Sequence, residues 1–272
     1  MLQPNFFNTY FIIPILNVLV LLYKGFLFIK LPGAFGFAII GLTVLVRLIL
    51  HPFFKQQLEM TKKMQEIKPH LDKLSQKHKD DKTKLQQEQM RLYQEAGINP
   101  ASGCLFMIVQ IPVFIGLYNT LSLFLMNGNA AKVIADINKA LYWPMLKIQT
   151  IDPWFFGFNL AVTPANGGQW YYYLIPVITG FLQYLQVQTS TPQQVSNKFS
   201  TSSNNNTLRA SEASREEKKD DSGDFQKAMN TQMKFIFPLM IGWFSYTLPV
   251  GLSLYWNIFS LFSIMQYRQL KK

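Results

Sequence analysis

Apolar positions in this chain fall in a few long blocks divided by polar segments, without the one-sided spacing that surrounds a soluble core. The blocks are 6–29, 35–54, 105–125, 170–187 and 235–267. Phe35 to Phe54 is a run of 20 residues, long enough as a helix to cross a hydrocarbon core of ~30 Å. The 33-residue run 235–267 is too long for one crossing. It contains "YTLPVG" at 246–251, where Pro249 removes a backbone donor and Gly251 permits a turn, so it reads as two helices joined outside the core.

The polar segments differ in kind. In 55–100, Met60, Met64, Ile67, Leu71 and Leu74 recur at steps of four and three, which is one helix stripe. "HKDDK" at 78–82 is a turn signal, after which Leu85, Leu92 and Ala96 continue a matching stripe. The segment is expected to be a helical hairpin with Pro69 kinking its first arm. Residues 189–224 are rich in Ser, Asn and Thr and bury too little apolar surface to offset ordering entropy, so a disordered loop is expected. In 126–169, Val133, Ile137 and Leu141 are spaced for a short interfacial helix. Trp143, Trp154, Phe155, Phe156 and Phe158 suit the headgroup level. Block 6–29 is long enough to span, but only "KLPGA" separates it from the next helix and Lys24 and Lys30 would sit on the wrong side; of the two readings, a sixth crossing or an amphipathic helix on the outer surface, the second is favoured.

The expected fold is thus an all-α polytopic membrane protein with five transmembrane helices, a helical hairpin and an N-terminal interfacial helix. The external segment 1–34 precedes spans at 35–54, 103–125, 170–188, 229–247 and 250–267. Between them lie the cytoplasmic hairpin 55–102, the external loop 126–169 and the disordered cytoplasmic loop 189–228, and 268–272 forms a cytoplasmic tail. Charge sets the orientation. Of 26 Lys and Arg, ten lie in 55–102, seven in 189–234 and three after 267, the face that the positive-inside rule assigns to the cytoplasm.

Composition narrows the chemistry. The formal charge of +11 is accounted for by basic flanks of apolar runs, so nucleic acid is not an expected partner. One cysteine, Cys104, excludes an internal disulfide framework. The start lacks a basic n-region and a small-residue cleavage site, so it is read as mature chain. His51, His70 and His78 have neither metal-ligand spacing nor a nucleophile, and no glycine-rich phosphate motif occurs. No enzyme activity, metal or cofactor is expected.

Arg47 is the one charge in 35–54. In a helix running to Phe54 its Cα lies ~10 Å inside the cytoplasmic end, deeper than snorkelling reaches without water or thinning. No Asp or Glu occurs in any expected span, so its partners are water, carbonyls or neutral polar groups. Such groups recur at helical spacing: Ser253, Asn257, Ser260 and Ser263 form one stripe with Trp256 beside it, Gln110 lies in the second span, and Gln183 and Gln186 end the third. Arg47, Gln110, Gln183, Ser253, Trp256, Asn257 and Ser260 are the expected groove residues. Interhelical hydrogen bonding alone also places such residues in spans.

The stretches "GFAIIGLTVLVRLILHPFFKQQLEMTKKMQEIKPHLDKL", "YQEAGINPASGCLFMIVQIPVFIGLYNTL" and "MKFIFPLMIGWFSYTLPVGLSLYWNIFSLFSIMQ" resemble, in order and spacing, three signature regions of the YidC/Oxa/Alb family of membrane protein insertases. The resemblance covers most of 35–267 and is to the compact form found in bacteria. The sequence departs from the family pattern in having no lipobox cysteine near its start and only "YRQLKK" where a long basic tail would dock the ribosome. The resemblance implies five transmembrane helices around a cytoplasm-open hydrophilic groove that holds the cation at Arg47, with the hairpin over its mouth, in a bacterial plasma membrane. It implies nascent membrane proteins as substrate and the lipid bilayer as surroundings. The ribosome, the signal recognition particle with its receptor, and the Sec translocon are the implied delivery partners. The rival from the residues alone is a small-anion transporter or channel using Arg47, although the five unequal spans show no internal repeat.

Overall fold

A wide helical turn at Asn8–Ile12 runs without a break into α1 (Ile13–Phe28), and a short turn through Gly33, at φ 75°, leads to α2 (Ala34–Ile49). The computed structural model describes residues 5–78, 81–98, 101–125, 130–190 and 232–271. α1 and α2 pack side by side, burying Leu16, Leu19, Val20 and Tyr23 against Phe35, Ala38, Ile39 and Leu42. Next come α3 (His51–Lys77) and α4 (Lys82–Glu95), which pack together as a hairpin. Asp81 caps α4 by accepting from the Lys84 amide at 3.0 Å. Pro69 lies inside α3, and two residues of the expected turn, 79 and 80, lie outside the described residues.

Helix α5 (Ala101–Leu125) passes beside α1, α3 and the last helix. α6 (Ala130–Ala140) and an irregular loop follow, the loop holding a two-stranded turn of β1 (Trp154–Phe155) against β2 (Phe158–Asn159). The chain closes with α7 (Leu174–Ser190), α8 (Phe237–Thr247) and α9 (Val250–Lys271). α7 packs most closely on α8, where Gly180 and Gly242 meet: a Cβ at Gly242 would stand 3.3 Å from the Pro176 carbonyl. α9 lies against both α7 and α2, which places it at the centre. The expected disordered loop lies outside the described residues, apart from the end of α7.

Several expectations are corrected. The first span does not reach Phe54: α2 ends at Ile49, and α3 leaves it at 65°. Pro52 lies in the first turn of α3 and has no amide to continue the α2 ladder, which fixes the break. Residues 268–271 of the expected tail are helical, since α9 continues through them. Block 6–29 buries one side, with Leu16, Asn17, Leu19, Val20 and Tyr23, and leaves Phe6, Tyr10, Leu21, Leu27 and Phe28 exposed on the other. Among the described residues Asn8–Phe28 is the one straight helix long and apolar enough to cross a membrane; α2 and α3 qualify only as a bent pair.

The loop after α6 explains how α1 is held. Asn17, 3% exposed, donates to the Ala140 carbonyl at 3.1 Å and accepts from the Tyr142 amide at 2.7 Å. The Tyr23 hydroxyl accepts from the Asp152 amide at 3.1 Å, and Lys24 donates to the Met145 and Lys147 carbonyls. The expected interfacial helix exists as α6, but its Val133 and Ile137 face the core and not lipid. The loop aromatics divide as well: Trp143, Trp154 and Phe156 are exposed, whereas the Phe155 ring lies over Gly36 and Phe158 packs on Tyr172. The same loop docks on the α8–α9 turn, where the Val250 and Gly251 amides donate to Val162 and Leu160.

Outward faces of the bundle carry Leu48, Ile49, Ile111, Val177, Leu239, Trp243 and Met265, all exposed. An apolar surface on this scale calls for a non-aqueous surrounding.

Candidate functional site

Arg47 occupies the last turn of α2, where the free carbonyl ends favour a cation. Its side chain turns inward and is only 2% exposed. Nη2 donates to the Phe259 carbonyl at 2.7 Å and to Ser263 Oγ, and Nη1 donates to Gln266 Oε1 at 3.1 Å. Both faces of the guanidinium are covered. The Phe54 ring of α3 lies 4.0 Å from Cζ and the Phe259 ring of α9 3.8 Å. No carboxylate takes part, and among the described residues the ion pair is the exposed Arg91–Glu95 contact on α4.

The balance can be weighed. Taking a guanidinium out of water costs several kcal/mol. Three hydrogen bonds from a charged donor return roughly 1.5–3 kcal/mol each, and each desolvated ring face contributes up to about 2 kcal/mol. The arginine is therefore tolerable without an acidic partner, and the carboxylate-binding capacity of its charge is not consumed.

Beside it lies a cavity of about 80 Å³, lined by Gln57 and Thr61 of α3, Gln186 of α7, and Ser263 and Gln266 of α9. That volume holds several water molecules. Two buried polar atoms at this level, Arg47 Nε and Gln186 Oε1, and a third about two turns deeper on α9, Asn257 Oδ1, have no partner among the described residues. Buried polar atoms are nearly always paired with protein or water, so these positions call for water or an incoming polar group. One turn deeper, Ser260 Oγ donates to Gln183 Oε1 at 3.3 Å and joins α9 to α7.

The expected groove set is thus split. Arg47, and one turn deeper Gln183 with Ser260, share the α3 end of the bundle, while Asn257 lies about another turn along α9 with its Oδ1 buried. Ser253 does not: it is fully buried, with its hydroxyl 2.8 Å from Ser245 Oγ, which in turn donates to Thr179 at 3.2 Å. This chain of hydroxyls ties α7, α8 and α9 together near the loop end and is a structural link. Trp256 stacks on Phe114 of α5 at 5.6 Å and 14°. Gln110 falls on α5, and its side chain lies outside the described residues.

The polar stripe on α9 extends one step further than the sequence reading took it, since Gln266 follows Ser263 by three. Phe54, Gln57 and Thr61 had no legible signal. They reach Arg47 because the chain bends at Leu50.

The family model described as "60Kd inner membrane protein" matches residues 27–272. The chain is similar to the inner membrane ALBINO3-like protein 2 of the chloroplast of Chlamydomonas reinhardtii. The two are 37% identical over 248 residues, which is 89% of this chain and 51% of the relative. It is 37% identical over 187 residues to the membrane protein insertase YidC of Caulobacter vibrioides, covering 67% of this chain and 29% of the relative. With the YidC insertase of Oceanobacillus iheyensis it shares 29% identity over 276 residues, 97% of this chain and 84% of the relative. The chain spans about half the length, or less, of the first relatives it matches.

Proposed function

The chain belongs to the 60Kd inner membrane protein family, the YidC/Oxa/Alb insertases, and from that premise we propose that it inserts nascent membrane proteins into a cytoplasmic membrane through the polar site at Arg47. The observation that carries the reading is a buried arginine with no acidic partner, facing a small polar cavity at the basic end of a bundle whose outer faces are apolar.

Five crossings are assigned to α2, α5, α7, α8 with its preceding turn Gln232–Ile236, and α9. α2, with 16 residues, is ~24 Å long, shorter than the ~30 Å hydrocarbon core, so the bilayer thins around it. α1 lies under the outer loop. The hairpin α3–α4 is cytoplasmic, where it receives the client and its delivery partners.

A client's short polar segment enters at the α3 end. There the cation pairs transiently with its acidic residues, and Gln186, Asn257 and the cavity's water replace part of its hydration. The segment then meets less than the full hydrocarbon thickness. Partition of the client's apolar helix into lipid, at ~25 cal/mol per Å² of apolar surface, drives release between α7 and α9 without nucleotide hydrolysis.

The test is replacement of Arg47 by Ala and by Lys in a strain that depends on this protein, scoring insertion of a single-span client with an acidic external tail. Arg47→Ala is expected to lose most insertion. Arg47→Lys should keep part, because lysine retains the charge but not the planar fork that fits between two rings. Normal insertion with Ala would remove Arg47 from the mechanism. No observation favours the anion-transporter reading.

A further inference from the structure

Arg47 is covered by a residue that belongs to another arm of the molecule. Phe54 stands beyond the 65° break at Leu50, on α3, yet its ring closes one face of the guanidinium and is itself only 8% exposed. The next turns of α3 supply Gln57, Leu58 and Thr61 to the wall of the cavity. One turn further, Gln65 Nε2 donates to the Tyr267 hydroxyl of α9 at 2.7 Å. The other guanidinium face, and the acceptors for its Nη donors, all come from α9. The site is therefore a clamp with one jaw fixed on the bundle and one jaw on the hairpin.

We propose that α3 is a gate over Arg47, hinged at Leu50, with Phe54 as the covering residue and the Gln65–Tyr267 hydrogen bond as its latch. This deepens the insertion reading and rests on it. With the latch closed the cation is sealed, which keeps small anions and loose acidic peptides off it. Movement of α3 removes Phe54, opens the small cavity towards the hairpin and exposes one face and the free Nε–H of the guanidinium to a client carboxylate. Phe54 acts on the client through Arg47 and is a positioning residue. The latch is a neutral pair, so it opens without first separating charges.

The gate is tested on the full chain in liposomes by the rate at which phenylglyoxal modifies Arg47, read by peptide mass mapping. Tyr267→Phe keeps the packing and removes the latch; it is expected to speed modification about fivefold, the factor carried by one neutral hydrogen bond. Phe54→Leu should speed it further, and Phe54→Tyr should behave as the unaltered chain. In a Cys104→Ser background, Gln65→Cys and Tyr267→Cys joined by a bifunctional thiosulfonate should stop client insertion, with reductant restoring it. Unchanged Arg47 reactivity in both Tyr267→Phe and Phe54→Leu overturns the gate. So does full insertion by the bridged protein while Arg47→Ala fails, a result that leaves the insertion reading standing. Normal insertion by Arg47→Ala overturns the insertion reading itself.

Discussion

At the scale of single residues, position in the fold decides between roles that one residue type can take. Ser253 and Ser260 lie on one stripe of α9, seven residues apart. The first closes a hydroxyl chain through Ser245 to Thr179, and the second meets Gln183 beside the arginine site. Ser253→Ala should therefore lower thermal stability in detergent by ~0.6–2 kcal/mol, the value of an interhelical hydrogen bond in a membrane, and leave insertion per folded molecule unchanged. A loss of insertion without a loss of stability would return Ser253 to the groove. Gly36 is constrained by shape. A Cβ there would stand 2.2 Å from the Phe155 ring, so Gly36→Ala forces that ring off the α2 N-terminus. Overpacking of this kind costs roughly 1–3 kcal/mol, measurable as a lowered Tm, and a Phe155→Leu second change should recover part of it.

At the scale of elements, α1 is the helix whose environment its sequence least reveals. Its length and apolar composition suit a crossing. Yet Asn17, Tyr23 and Lys24, spread over two turns, are all engaged by polar backbone at the end of α6 and in the loop after it. Polar loop backbone does not lie in exposed hydrocarbon, because each unsatisfied group there costs several kcal/mol. Cysteines at Phe6 and Phe28, both exposed ends of this helix, are therefore expected to react with an impermeant maleimide from the same, outer side of intact cells. Labelling of the two from opposite sides would make α1 a sixth crossing. The hairpin obeys the same logic in reverse. α3 changes direction at Pro52, and the bend brings a polar helix against the end of the apolar helix α2.

At the scale of the whole molecule, the apolar outer faces and the small polar interior at one end fit a device that lowers a barrier without consuming fuel. Purified protein in liposomes is expected to insert a short single-span client with no nucleotide present, and dissipating ATP with apyrase should leave the yield unchanged. A strict nucleotide requirement in that minimal system would contradict the proposed mechanism.

Hydrophobic block length, the four-and-three stripe of 60–74 and the placement of lysines and arginines determined by themselves that the chain is helical, membrane-bound, and built with a charged hairpin at one end, because each of those features is local or additive along the chain. The stripe on α9 and the unpaired Arg47 were likewise legible, since a helix converts spacing into a shared face. Tertiary structure alone decided that α2 stops at Ile49, that Phe54 and Gln57 belong to the arginine site, and that Ser253 does not. Those outcomes depend on a bend angle and on contacts between residues some 200 positions apart, such as Arg47 with Phe259 and Gln65 with Tyr267. Periodicity carries no information about which helix faces meet.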